Sequence, residues 1–114
     1  MVDLWALPMA IQPLKLLVWN VQGLNSPARR HSIYQVVISA SPSIICFQET
    51  KMENINVELV RQCLGNKFES FYYLPAVGTR GGILLAWDAT VVQLSNPDTT
   101  TNTLTAVVKP VEGP

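Results

Sequence analysis

Two residues in this chain stand where their chemistry can be used. Asn20 lies just past the apolar run Leu14–Trp19, and Glu49 lies just past the run Ser43–Gln48. A carboxylate and a carboxamide offer oxygen atoms and N–H donors, the groups that suit a hard cation and a phosphate. Mg²⁺ takes oxygen ligands, commonly one or two of them carboxylates, and completes its shell with water and substrate phosphate. Glu49 can ligate such an ion. Asn20 can hold that carboxylate or a phosphate oxygen by hydrogen bonds, or present its own carbonyl to the metal. The same two residues also suit a plainer role, with Asn20 capping a turn and Glu49 opening a solvated loop.

The elements that must position the pair are readable around it. Leu14–Trp19 is apolar apart from Lys15 and predicts a strand buried on both faces. Ser26 is a good N-cap, Pro27 suits the first helical position, and Ile33, Val36, Val37 and Ala40 form a helical stripe that Ser41–Pro42 ends. Ser43–Gln48 predicts a second strand. Strand, helix and strand make a βαβ unit with parallel strands and a right-handed crossover. The carboxyl ends of parallel strands share one sheet edge, where open α/β folds bind ligands. Asn20 and Glu49 should therefore converge.

A second helix is expected at about 55–64, with Ile55, Leu59, Cys63 and Leu64 as its stripe and Gly65 at its end. The segments KFESFYYL, GGILLAW, TVVQLS and TLTAVVK then predict strands, with turns at Asp88–Ala89 and NPDTTTN joining antiparallel neighbours. Residues 1–13, broken by Pro8 and Pro13, form an irregular leader without the pattern of a signal peptide, and residues 14–114 form one domain.

Composition narrows the classes. With 48% hydrophobic and 14% charged residues, the chain is not a disordered tail. Its zero formal charge counts against a stand-alone nucleic-acid binder, which relies on a basic excess. Cys46 and Cys63 have no metal-ligand spacing and read as buried, reduced thiols. No stretch has the length of a membrane helix. The expected setting is intracellular, nuclear or cytoplasmic.

Other polar and aromatic residues have bland readings first. Ala28–His31 (ARRH) reads as a solvated helix face, with phosphate contact the sharper option. Tyr72 and Tyr73 could stack on a base but fit a core strand. Trp19 and Trp87 read as packing residues. Gly81 and Gly82 permit a bulge or a close backbone approach, and Arg80 reads as a turn residue within reach of the site rim.

Taken together, LVWNVQGLNS, IICFQETK and RGGILLAWD resemble the endonuclease/exonuclease/phosphatase superfamily of exonuclease III and DNase I. The resemblance is greatest to the endonuclease domain of plant LINE-type (non-LTR) retrotransposons, and it runs from Lys15 to the end of the chain. It implies the N-terminal part of a four-layered α/β sandwich and a Mg²⁺- or Mn²⁺-dependent phosphodiesterase that nicks DNA. It assigns Glu49 to the metal-ligating glutamate and Asn20 to the active-site asparagine beside metal and phosphate.

The resemblance also implies motifs that do not follow here: a later tyrosine, Gly-Asp-Phe-Asn, and a terminal Ser-Asp-His that activates the attacking water. The single histidine, His31, lies in the first helix and matches none of them. The expectation is an N-terminal half-domain that binds metal weakly and hydrolyses nothing alone. Two other readings stand beside it. One is a non-catalytic metal- or nucleic-acid-binding module that associates through exposed sheet edges. The other is a complete small enzyme.

Overall fold

A computed structural model describes residues 14–111. The expected leader at 1–13 lies outside the described residues. The first strand, β1 (Leu16–Asn20), runs parallel to β2 (Ile44–Gln48), in register from Leu16 opposite Ile44 to Asn20 opposite Gln48. The helix α1 (Pro27–Ala40) crosses between them. A second helix, α2 (Val57–Leu64), and a short 3-10 turn (Asn66–Phe68) lead to β3 (Ser70–Leu74) and β4 (Ile83–Trp87). These four strands form one sheet in the order β1-β2-β4-β3, with β4 antiparallel to both neighbours. The last two strands, β5 (Val92–Thr99) and β6 (Leu104–Pro110), form a separate antiparallel hairpin.

Local chemistry sets the helix boundaries. Ser26 Oγ accepts the Arg29 N–H at 3.1 Å and caps α1, with Pro27 following as the first helical residue. Ser41 ends α1 in the left-handed region at φ 49°. Asn56 Oδ1 accepts the Leu59 N–H at 2.9 Å and caps α2, so the helix begins two residues after Ile55. Gly65 ends it at φ 85°.

The sheet separates two apolar layers. On the helix side Ile45, Phe47, Leu84 and Ala86 meet Ile33, Val37, Val60 and Cys63. Phe47, Ile45 and Leu84 are fully buried, and each such burial stabilises by about 1.5–3 kcal/mol. On the other side Ile44 and Trp87 meet Val92 and Leu94 of the hairpin. Helices, sheet and hairpin are three layers of a mixed α/β fold, as the expected class requires.

Three expectations need correction. The first concerns β1, expected to be buried on both faces. It is an edge strand whose Leu16 and Val18 are 58% and 53% exposed, because the hairpin packs on β2, β3 and β4 and stops short of it. The second concerns NPDTTTN, of which only Thr100, Thr101 and Asn102 lie in the expected turn between antiparallel strands. The strand β5 continues to Thr99 through a bulge between Ser95 and Asp98, with Asn96 at φ 53°. A two-stranded ribbon tolerates Pro97 there because a bulge lacks a ladder bond to lose. The third concerns ARRH, where Ala28, Arg29 and His31 are exposed as a solvated face requires, but the two arginines also make contacts that this reading left out. The Arg29 guanidinium donates to the Val21 carbonyl, and Arg30 Nη1 donates to the Leu24 carbonyl at 2.6 Å. Both arginines thus tie α1 to the loop that follows β1. His31 is exposed.

The aromatic residues pack. Trp19 meets Phe47 edge-on at 5.9 Å, and Trp87 lies 5.0 Å from Tyr72. Tyr72 also donates its hydroxyl to Leu94 O at 3.4 Å, while Tyr73 leans on Phe71 across the other face. Both cysteines are free thiols. Burial raises the pKa of Cys46, and it pushes that of Cys63 up to about 11 against the opposing charge of Arg30.

Candidate active site

The carboxyl ends of β1 and β2 bring Asn20 and Glu49 together. Asn20 Nδ2 donates to Glu49 Oε2, and Asn20 Oδ1 accepts the Gln22 N–H at 3.2 Å. The second bond decides which way the carboxamide faces. A backbone N–H can only donate, so the oxygen must turn to Gln22 and the nitrogen to Glu49. The result is an exposed carboxylate oriented through Oε2, and among the described residues none donates to its other oxygen, Oε1.

The backbone that carries Glu49 is held from two sides. Sheet-like pairing continues past the strand ends: Val21 N–H donates to Gln48 O at 3.0 Å, Gly23 N–H to Glu49 O at 2.8 Å, and Leu24 N–H to Thr50 O at 2.9 Å. From the β4 side, Thr50 N–H donates to Gly82 O at 3.2 Å and Lys51 N–H to Gly81 O at 2.7 Å. Glu49 and Lys51 both adopt left-handed backbone, at φ 55° and 57°. For residues with a Cβ that conformation costs about 1–2 kcal/mol each, and the surrounding hydrogen bonds keep it in place. Thr50 between them is fully buried.

The paired glycines are fixed by this approach. A Cβ on Gly81 would lie 3.0 Å from Glu49 Cγ and 3.2 Å from Glu49 Cα. A Cβ on Gly82 would lie 2.5 Å from Thr50 Oγ1, and Gly82 sits at φ 87°. The expected close backbone approach is therefore an approach to the candidate carboxylate itself.

The pair opens into a cleft of about 250 Å³ lined by Asn20, Gln48, Glu49, Arg80, Gly81 and Asn102 among others. A larger groove of about 380 Å³ lies between the C-terminal end of α1 and the 3-10 turn, but none of its lining residues carries a carboxylate. Chemistry rather than size selects the smaller cleft. Arg80 is more than a turn residue. Its Nε donates to Pro75 O at 2.9 Å and its Nη1 to Thr101 O at 3.1 Å. Among the described residues no group of three or more His, Cys, Asp or Glu side chains gathers in one place. The cleft offers a single acidic ligand, which fits an ion that takes one carboxylate and completes its shell with water and phosphate.

Sequence reasoning brought Asn20, Glu49 and the two glycines to this edge and put Arg80 within reach of its rim. It missed Thr50 and Asn102. Asn102 falls in TTTNT, a polar loop with no local signal, and only the path of the hairpin brings it to the cleft.

A model of the Endonuclease/Exonuclease/phosphatase family matches residues 17–112. The chain belongs to that family. Among solved structures it is similar to the AP endonuclease LMAP from Leishmania major, at 20% sequence identity and a TM-score of 0.51. The match covers 82% of this chain and 34% of the Leishmania protein, so this family member spans about a third of that chain's length. That likeness establishes the shared fold. Among the described residues of this family member, no helix is long and apolar enough to cross a membrane.

Proposed function

We propose that this chain carries the metal- and phosphate-binding half of a phosphodiesterase that nicks DNA, in the manner of LINE-type retrotransposon endonucleases. On this reading residues 14–114 are the N-terminal half of the domain. The observation that supports it best is the carboxylate of Glu49, held by Asn20 at the shared edge of two parallel strands. Membership of the Endonuclease/Exonuclease/phosphatase family supports a phosphoester substrate, and the Leishmania neighbour's name as an AP endonuclease favours DNA.

Glu49 would hold Mg²⁺ or Mn²⁺ through Oε1. Such an ion, when bound, supplies charge stabilisation at the phosphate oxygens. Asn20 keeps the carboxylate oriented, and its own carboxamide is fixed by Gln22. Activating a water requires a proton acceptor within hydrogen-bond reach of it. His31 is on α1 and does not line the cleft. We assign no general base to this chain, and on this reading it binds without hydrolysing.

The test is an amide NMR titration of the labelled chain with Mg²⁺, alongside a supercoiled-plasmid nicking assay. Shifts centred on Asn20 and Glu49, lost in Glu49→Ala, are expected, together with no nicking. Identical Mg²⁺ responses in wild type and Glu49→Ala would overturn the metal assignment. DNA binding that ignores both Mg²⁺ and Glu49 would instead support a metal-independent binding module. Nicking by the 114-residue chain would make it a complete enzyme.

A further inference from the structure

The cleft has a wall that the Asn20–Glu49 pair does not account for. Asn102 lines it from the tip of the β5–β6 hairpin. The tip has its own internal structure. Thr100 N–H donates to Thr103 O at 3.0 Å, the two hydroxyls bond at 2.6 Å, and Thr103 N–H donates to Thr100 Oγ1 at 3.1 Å.

Apolar packing holds only the other end of the hairpin. Val92 and Leu94 are buried, whereas every residue from Asn96 to Thr103 is exposed. Among the described residues, the Arg80–Thr101 bond is the one hydrogen bond that joins Asn96–Thr103 to the fold outside the hairpin. Arg80 is not needed to close its own turn, because Val77 and Arg80 already exchange backbone hydrogen bonds of 3.1 and 2.9 Å. Its rigid guanidinium fork instead spans two carbonyls on separate loops.

We propose that Asn102 is a substrate-contacting residue for a nucleic-acid phosphodiester and that Arg80 is the residue that positions it. This rests on the metal-and-phosphate reading of the Asn20–Glu49 cleft. A carboxamide carries two N–H donors and no charge, and asparagine side chains commonly donate to phosphate oxygens. Asn102 would take an oxygen of a phosphate bound in the cleft that it shares with Glu49. Arg80 acts through the hairpin, not on the phosphate.

The experiment measures binding of a short duplex DNA to the full 114-residue chain in Mg²⁺, by fluorescence anisotropy at several salt concentrations. Asn102→Ala is expected to weaken binding about fivefold to tenfold, the effect of one lost hydrogen bond. Arg80→Ala should cost a similar factor, and the double variant should bind no worse than either single one. The salt slope should be unchanged in all three, since a positioning arginine neutralises no phosphate. The amide resonances of Thr101–Thr103 should move in free Arg80→Ala, while the Mg²⁺ shifts at Glu49 persist.

Wild-type affinity in Asn102→Ala, or no duplex binding by wild type, would overturn the contact. Additive losses, or a salt slope reduced by about one in Arg80→Ala, would overturn the positioning role and make Arg80 a direct ligand. Failure of the underlying reading has a different signature, a Mg²⁺ response that survives Glu49→Ala.

Discussion

At the scale of single residues, the site depends on an atom that is missing. Gly81 lacks the Cβ that would press on Glu49 at 3.0–3.4 Å, a distance at which something must give. Gly81→Ala is expected to displace the Glu49 side chain and lengthen the Lys51 N–H to Gly81 O bond, now 2.7 Å. Mg²⁺ should then bind several-fold more weakly, read as a larger concentration needed for the same amide shifts. Gly78→Ala is the contrast. Nothing lies within 4 Å of its added Cβ, but its φ of 58° is left-handed. It should cost about 1 kcal/mol of stability and leave the Mg²⁺ response alone. Equal Mg²⁺ affinity in Gly81→Ala and wild type would show that Glu49 has room to spare. The glycines and the Asn20–Glu49 pair were legible in the sequence because each sits at a strand end, where one-dimensional order fixes three-dimensional place. Arg80 could be read as near the rim, but its bond to the hairpin and the place of Asn102 could not, since a hydrogen bond across 21 residues between two loops leaves no local pattern.

At the scale of elements, the β1–α1 connection does the positioning. Its backbone pairs with Glu49 and Thr50, and α1 grips it through Arg29 and Arg30 at the Val21 and Leu24 carbonyls. The Ser26 cap sets where α1 begins and so where those arginines point. Ser26→Ala should destabilise the chain by about 1 kcal/mol, the usual value of a cap, measured by urea unfolding. It should also shift the amides of Gly23 and Leu24, which report on the loop. A stability loss with no loop shift would mean that α1 re-forms its first turn without moving the arginines. The cap, the proline and the helix ends could be read directly, because capping is local chemistry. The length of β5 could not. Asn96 and Pro97 are turn formers by type, and the cross-strand pairing of Asp98 with Thr105 overrides them.

At the scale of the whole molecule, the sheet has one covered and one partly covered face. The hairpin shields Ile44, Trp87, Tyr72 and Leu85, and Leu16 and Val18 remain more than half exposed beside them on the edge strand. The apolar character of β1 was plain in the sequence, but burial is a property of neighbours, and the described residues do not put a second layer over β1. An exposed apolar edge is a template for association, and a formal charge of zero supplies no net repulsion against it. The 114-residue chain is therefore expected to self-associate as its concentration rises. Replacing both residues, Leu16→Thr with Val18→Thr, keeps good strand formers while removing the apolar patch. The double variant should hold its monomer mass in light scattering at concentrations where wild type does not, and its unfolding free energy should change by less than about 1 kcal/mol, as for surface substitutions. The two outcomes separate the causes. If mass rises equally in both proteins, association runs through another surface, such as the half-exposed Val107 and Val108 of β6. If the variant unfolds instead, Leu16 and Val18 contribute packing that their exposure does not reveal.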